Sequence, residues 1–413
     1  MEGTLELMIT ALGNDVGGVS SDAGRKTVFV RGALPGETVR CRVAEEARNF
    51  MKAELLEILE PSPRRVEPFC RYFGLCGGCS LQSLDYCRQL FWKREWILKA
   101  LRRTGVSLPE DSPSEVIPSP DTRGYRNRVS FDMTPEGPGL HRYGGDPFPV
   151  DGCPLQNRRG RNVFDSLAGK PLPGCGRVSA RGSDRTGEAM VEFFGMPDSG
   201  IPPLAPGVTA AWKDEGKWLS TGPESGFHEE LGGITYPVSP GGFFQVNTSC
   251  AEILVKKVAG LLSGTEVLDL YGGCGTFALP AAAGGARVTS VELNPVSSAD
   301  GGRAAADNGI SGVRFIPGRV RHFLLNTVRE AKEWDAVVVD PPRAGLGVRV
   351  SRLLRRVRTR KIVYVSCNPF SLARDLSVIC GGGWKVAGVH PVDMFPQTDH
   401  VETAVELIRK AEE

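Results

Sequence analysis

From about residue 236 the chain alternates two kinds of segment. Short apolar runs, EVLDLY, RVTSVEL, GVRFIP, WDAVVVD and KIVYVSC, are separated by longer amphipathic or alanine-rich stretches. Buried strands alternating with helices predict a doubly wound α/β domain over 236–413. Residues 1–60 follow another rhythm: the β-rich runs TLELMIT, KTVFVRGAL, ETVRCRV and AELLEIL are broken by the turns GNDVGG and ALPGE, which predicts a small antiparallel barrel. PSPRR marks a linker, and 61–235 forms a middle region. Its SLDYCRQLFWKREWILKALRRTG places aromatic and aliphatic residues on one helical side and basic residues on the other. Further on, RVSFDM, PFPV, GRVSA, EAMVEFF and WKDEGKWLS predict an antiparallel sheet. No internal repeat is visible.

Composition narrows the class. A chain of 413 residues, 41% hydrophobic and 24% charged, is expected to fold as several globular domains rather than as a fibre or a disordered segment. Lys and Arg number 50 against 48 Asp and Glu, so net charge does not mark a nucleic-acid binder. No apolar run approaches the ~18 residues of a membrane span, and MEGTLELMIT is acidic where a secretory signal is basic, so the expected location is cytoplasmic. Eleven cysteines, odd in number and unevenly spaced, do not resemble a secreted disulfide framework.

EVLDLYGGCGTFALPAA reads as a buried strand, a turn rich in glycine (Gly272, Gly273, Gly275) and a helix, an arrangement that lets backbone approach a ligand. Glu292 closes the next strand, where an acidic residue can receive a ribose hydroxyl. A full GxGxxG and a Walker lysine are both missing, which favours an adenosyl ligand without pyrophosphate. Asp340 closes the fourth strand in VVVDPPRAGL, at the edge where open α/β sheets bind ligands. Cys367 follows the fifth strand at that edge, and Glu402 begins a final strand in QTDHVETAVELI. A thiolate adding to carbon 6 of a pyrimidine turns carbon 5 into a nucleophile toward a methyl sulfonium, and a base must then remove the carbon 5 proton. Cysteine, carboxylate and adenosyl pocket supply that set. A lone His400 makes no metal site.

Cys70, Cys76 and Cys79 stand in CRYFGLCGGC, whose close spacing is a metal signal. The fourth ligand could be Cys87 or Cys153, and spacing does not choose.

FVRGALPGETV, the cysteine cluster, YRNRVSF, FFQVN, DLYGGCGTF, VELNP, DPPRAGL, VSCNP and HVE together resemble the RNA uridine C5 methyltransferase family, the 5-methyluridine enzymes of tRNA and 23S rRNA. The resemblance spans nearly the whole chain. It implies an α/β Rossmann-like domain dependent on S-adenosylmethionine (SAM), an N-terminal all-β TRAM/OB-like barrel and a central α+β iron-sulfur domain. It implies Cys367 as nucleophile and Glu402 as base. Gln245, Tyr271, Gly273, Gly275, Glu292 and Asp340 fall at positions that bind SAM or the target base. Cys153, in a CPL segment, would complete a 4Fe-4S cluster with Cys70, Cys76 and Cys79. Two departures stand out: Gly272 replaces the usual Cys after the Tyr, with Cys274 two residues later, and Gly318 and Arg319 stand where an acidic or amide residue commonly touches adenine.

The implied partner is structured RNA, with 23S rRNA favoured over tRNA because relatives that carry both a TRAM barrel and the cysteine quartet are mostly rRNA enzymes. A monomer without membrane association is expected. Between Pro341 and Cys380, nine basic residues face one acidic, and this stripe is expected beside the active strand end as a phosphate contact, with Tyr125, Arg126 and Asn127 as further candidates. The competing readings are a noncatalytic RNA-binding protein and an N-methylating enzyme, against which the paired Cys367 and Glu402 and the absence of an NPPY-like aromatic count.

Overall fold

The computed structural model describes residues 4–14, 17–21, 26–223 and 226–410 and divides into two units. One comprises residues 1–96, 142–145 and 397–399, the other 97–141, 146–396 and 400–413.

The first unit carries a six-stranded sheet in the order Thr4–Met8, Thr38–Glu46, Phe50–Glu60, Thr27–Arg31, Gly17–Ser20, Ala11–Gly13. Alternation decides which side is inside: Leu7, Val28, Val30, Val39 and Cys41 are buried. Arg40 pairs with Glu6 and Glu57 across strands, and Arg42 with Glu54, on the exposed side. The expected antiparallel pattern needs one correction. Thr27–Arg31 and Phe50–Glu60 run parallel, because the intervening Thr38–Glu46 pairs along the other side of Phe50–Glu60 and returns the chain in the original direction. Asp15 and Val16 of the GNDVGG turn lie outside the described residues.

The predicted amphipathic helix is Tyr86–Arg103, and Gln89, Lys93, Trp96, Ile97, Ala100 and Leu101 are its buried positions at helical spacing. Lys93 is therefore not on the solvated basic side. Gln89 donates to the carbonyls of Leu81 and Leu84 and to Gln397 Oε1, at 2.8 to 3.0 Å.

The second unit holds two large sheets. One runs Lys217–Ser220, Val208–Asp214, Ala189–Phe194, Arg177–Gly182, Arg128–Thr134, Gly137–His141, Pro147–Pro149. It too departs from the antiparallel expectation: Ala189–Phe194 and Val208–Asp214 pair parallel, since the connection between them crosses back before pairing. The other has the order Val313–Pro317, Arg287–Glu292, Glu266–Leu270, Glu333–Val339, Arg358–Ser366, Glu402–Arg409, Trp384–Val392. Its first five strands are parallel, as the five apolar runs predict, and the last two join antiparallel.

The loop after Asp340 is fixed by the helix Pro369–Cys380. Fully buried Asp375 accepts from Leu346 N at 2.6 Å and from the Tyr364 hydroxyl at 2.8 Å, while Arg374 donates to Ala344 O. Gly345 has φ +76°, and an added Cβ would lie 2.4 Å from Asp375 Oδ2, so side chains are excluded there. Asp375→Ala should leave the Tyr364 hydroxyl and the Leu346 amide unsatisfied at about 1–3 kcal/mol each. Urea unfolding should show that loss of stability; a change under ~0.5 kcal/mol would mean that Asp375 does not hold this loop.

Candidate active site

Strand register builds the site. Leu270 pairs with Val291 and Val339, so Tyr271, Glu292 and Asp340, each one residue further, emerge together at the carboxyl edge. Asp340 N donates to Leu270 O at 3.1 Å. Ser366 pairs with Thr403 in the antiparallel neighbour. Cys367 leaves its strand where Glu402 enters the next, and two residues 35 apart in sequence become neighbours across the sheet.

The glycine turn explains itself locally. Tyr271 takes φ +60°, an uncommon conformation for a residue with a side chain. An added Cβ at Gly272 would lie 2.0 Å from Ser290 Oγ and 2.3 Å from Asp269 Oδ2, so here the turn has no room for the cysteine usual in the resembled family. Cys274 is buried, and burial pushes its thiol up to about 12. Gly275, φ +86°, lies under Phe315, which also closes on Gly301. Around Gly273 an added Cβ meets nothing within 4 Å, leaving open space beside a backbone whose amide donates to Glu292 Oε2 at 3.1 Å. Glu292 Oε1 accepts from Asn294 N at 2.6 Å. The two amides orient the carboxylate at the open side of the turn, an arrangement that suits a ribose of an adenosyl ligand.

Acidic groups crowd this edge. Burial, with the charges of Asp269 and Glu292, pushes Asp340 up to about 7. Burial dominates at Asp269, also about 7, despite a 2.9 Å hydrogen bond from Ser290. Glu402 is buried, its carboxyl is pushed well above the usual range by burial and then by Asp340, and its Oε1 has no hydrogen-bond partner among the described residues. Cys367 is half-buried. Burial, then Glu402 and Asp340, push its thiol up to about 12, against the Arg343 guanidinium, which favours the thiolate. A carboxyl whose protonated form burial favours, set beside a thiol, can exchange a proton with a bound base. Asp269 was not singled out from the sequence. Its place at an inward position of the strand EVLDL was the available signal.

Gln245 lies buried between the strand Ile234–Val238 and the helix Thr248–Leu261, its carbonyl accepting from Asn127 Nδ2 at 2.8 Å. Asn127 also donates toward Glu229 and Thr248, and buried Tyr125 donates to Pro396 O at 3.0 Å. Both residues hold the fold, so neither serves as the surface RNA contact expected of it. The basic stripe also needs correcting. The helix Gly347–Leu354 carries the chain back to the start of Arg358–Ser366, and eight strand steps, about 25 Å, separate Arg358 from Ser366. Arg355 to Lys361 thus lie toward the sheet edge opposite Cys367, where Arg358 faces Glu333 and Lys361 faces Glu406. Among these cations it is Arg343, exposed, that acts on the Cys367 thiol.

Cys70, Cys76 and Cys79 occupy successive turns of the first unit and are half-buried; Cys87 is exposed. Gly78 N donates to Cys76 Sγ at 3.4 Å. Burial raises the Cys76 thiol, and Cys70 raises it further. Cys153 belongs to the second unit. Among the described residues, no three or more His, Cys, Asp or Glu side chains form a group that could hold a metal ion. No helix among them is long and apolar enough to cross a membrane.

A family model described as tRNA (uracil-5-)-methyltransferase matches residues 232–410. An uncharacterised RNA methyltransferase of Gloeobacter violaceus is 33% identical over 98% of this chain and 96% of its own. One from Geobacter sulfurreducens is also 33% identical, over 98% and 90%. Among solved structures, Pyrococcus abyssi tRNA (uracil-54, C5)-methyltransferase in complex with S-adenosyl-L-homocysteine (SAH) matches with a TM-score of 0.79 and 27% identity, over 98% of this chain and all of that one. These likenesses, with a register that sets a cysteine against a glutamate beside a glycine turn, show that the chain belongs to the RNA uridine C5 methyltransferase family.

Proposed function

We propose that the protein methylates carbon 5 of a uridine in structured RNA, with Cys367 as nucleophile and Glu402 as base. The observation that carries this is the Ser366–Thr403 register. Cys367 Sγ adds to carbon 6 of the flipped uracil, making carbon 5 nucleophilic. SAM supplies the methyl group at that stage. Glu402 then takes the carbon 5 proton, and elimination breaks the sulfur–carbon 6 bond and releases the thiolate. Arg343 stabilises the thiolate before attack and after release. Burial and Asp340 favour the protonated form of Glu402, so its proton must pass on before it acts as base. Gln245, Tyr271, Gly273, Gly275, Glu292 and Asp340 line the SAM and base pocket in this reading.

We read residues 1–60 as a TRAM-like barrel, 61–235 as the central RNA-gripping region and 236–413 as the catalytic domain. The Pyrococcus abyssi relative acts on tRNA uracil-54, which favours tRNA; the barrel and cysteine quartet keep 23S rRNA as the second reading. Mapping 5-methyluridine in both RNAs from a deleted strain separates them. The quartet Cys70, Cys76, Cys79 and Cys153 is read as the ligand set of a 4Fe-4S cluster. The Gly78 amide at Cys76 Sγ suits such a group. No catalytic step passes through it.

RNA carrying 5-fluorouridine at the target should trap a protein–RNA adduct on a denaturing gel, because fluorine cannot leave as a proton does. Cys367→Ala should abolish the adduct, and Glu402→Gln should accumulate a methylated adduct on ordinary RNA; an adduct that survives Cys367→Ala would refute this chemistry.

Glu292→Ala should weaken SAH binding by ~1.5–3 kcal/mol, the range for a charged hydrogen bond. Unchanged affinity in calorimetry removes Glu292 from the pocket.

Protein purified without oxygen should contain iron and sulfide, lost in Cys70→Ala and Cys153→Ala but kept in Cys87→Ala. Zinc in place of iron, or iron retained by Cys153→Ala, would rule out the assigned cluster.

A further inference from the structure

A buried ion cluster in the central sheet reaches the wall of the cofactor pocket. Arg128, Ser179, Arg181 and Glu192 share one sheet face, since Arg181 pairs with Arg128 and Ser179 with Glu192 in adjacent strands. Arg181 and Glu192 are 1% and 0% exposed, so their charges have no access to water. Arg181 Nη1 lies 3.2 Å from Glu192 Oε1, and Arg128 Nη2 lies 3.2 Å from Oε2. Two further bonds go to one loop: Glu192 Oε1 accepts from Gly241 N at 2.8 Å, and Arg181 Nη1 donates to Gly242 O at 2.9 Å, while Arg181 Nε finds no hydrogen-bond partner among the described residues. The loop is shaped for this contact. Gly241 has φ +75°, and an added Cβ would come 2.3 Å from Trp218 Nε1 of the same sheet.

On its other side the loop meets the cofactor edge. Asn294 Nδ2 donates to Gly241 O at 3.4 Å, and Ser297 Oγ accepts from Phe243 N at 3.3 Å. Asn294 N is the donor that orients Glu292 Oε1. Gln245 follows three residues after Gly242. A continuous chain of hydrogen bonds therefore runs from the central sheet through Gly241 and Asn294 to Glu292 and Gly273. Burying a salt bridge is costly and contributes little net stability, so a role in stability alone is a weak account of this pair.

We propose that Glu192 and Arg181 are positioning residues for SAM: the central sheet, through Gly241 and Gly242, sets the pocket wall that carries Asn294 and Gln245. The proposal rests on the reading of this pocket as the SAM site. Neither residue touches the reacting atoms. Their effect is on cofactor affinity, and chemistry at Cys367 proceeds once the cofactor is bound.

The test removes the latch without leaving a buried charge. Arg181→Met combined with Glu192→Leu replaces the pair by apolar side chains of similar volume, a change that commonly preserves stability. SAH affinity by calorimetry should fall about 5- to 30-fold, the effect of two lost hydrogen bonds of ~0.5–1 kcal/mol each. KM for SAM should rise in parallel while kcat at saturating SAM stays within about twofold. Glu192→Gln, which keeps an acceptor for Gly241 N but loses the charge, should show a smaller loss of affinity in the same direction and serves if the double variant does not fold. If wild-type protein fails to bind SAH, the pocket reading itself is wrong. If wild-type protein binds and the folded variants bind within twofold of it, or lose kcat and affinity together with thermal stability, the positioning role is refuted.

Discussion

The structure depends on one register. Placing Glu402–Arg409 antiparallel between Arg358–Ser366 and Trp384–Val392, with Ser366 opposite Thr403, brings the start of the last strand to the end of the fifth. A slip by one residue would turn Glu402 to the other sheet face and separate it from Cys367. Ala404 on one face and Val405 and Leu407 on the other are all buried, so such a slip would disturb the packing on both sides of the sheet. Core packing thus sets the placement of Cys367 and Glu402.

That register also creates the electrostatic character of the site. Acidic groups converge at one edge: Asp269 and Glu292 raise the cost of ionising Asp340, and Asp340 raises that of Glu402. Burial and the neighbouring carboxylates raise both the Cys367 thiol and the Glu402 carboxyl, so in the proposed reaction the bound substrate must favour their ionised forms. The loop that carries exposed Arg343 is held at Ala344 and Leu346 by Arg374 and Asp375.

The central sheet reaches the carboxyl edge of the parallel sheet. Its ion cluster shares a loop with the cofactor edge, and Glu229 gathers Asn127, Ser183 and Thr248 beside the same segment. Buried polar groups of this kind must be satisfied together. The catalytic domain and the sheet before it are thereby one hydrogen-bonded construction, although their sequences read as separate regions.

What the sequence determined by itself was local and periodic. Five apolar runs named the parallel strands, glycines named the turn, and DPPR, SCNP and HVE named the groups at the strand ends, because each depends on a few consecutive residues. The tertiary structure decided what depends on pairing between distant segments. It made two strand pairs parallel where hairpins were expected, since a crossover leaves little trace in alternation. It buried Lys93, and it buried Tyr125 and Asn127, whose partners lie far along the chain. It moved most of the basic stripe to the edge away from Cys367, because a strand carries charge along its length while sequence shows only adjacency. And it joined Arg181 and Glu192 to Gly241 and Gly242, a contact legible only when strands 50 residues away fold over the loop, for hydrogen-bond geometry is a property of space.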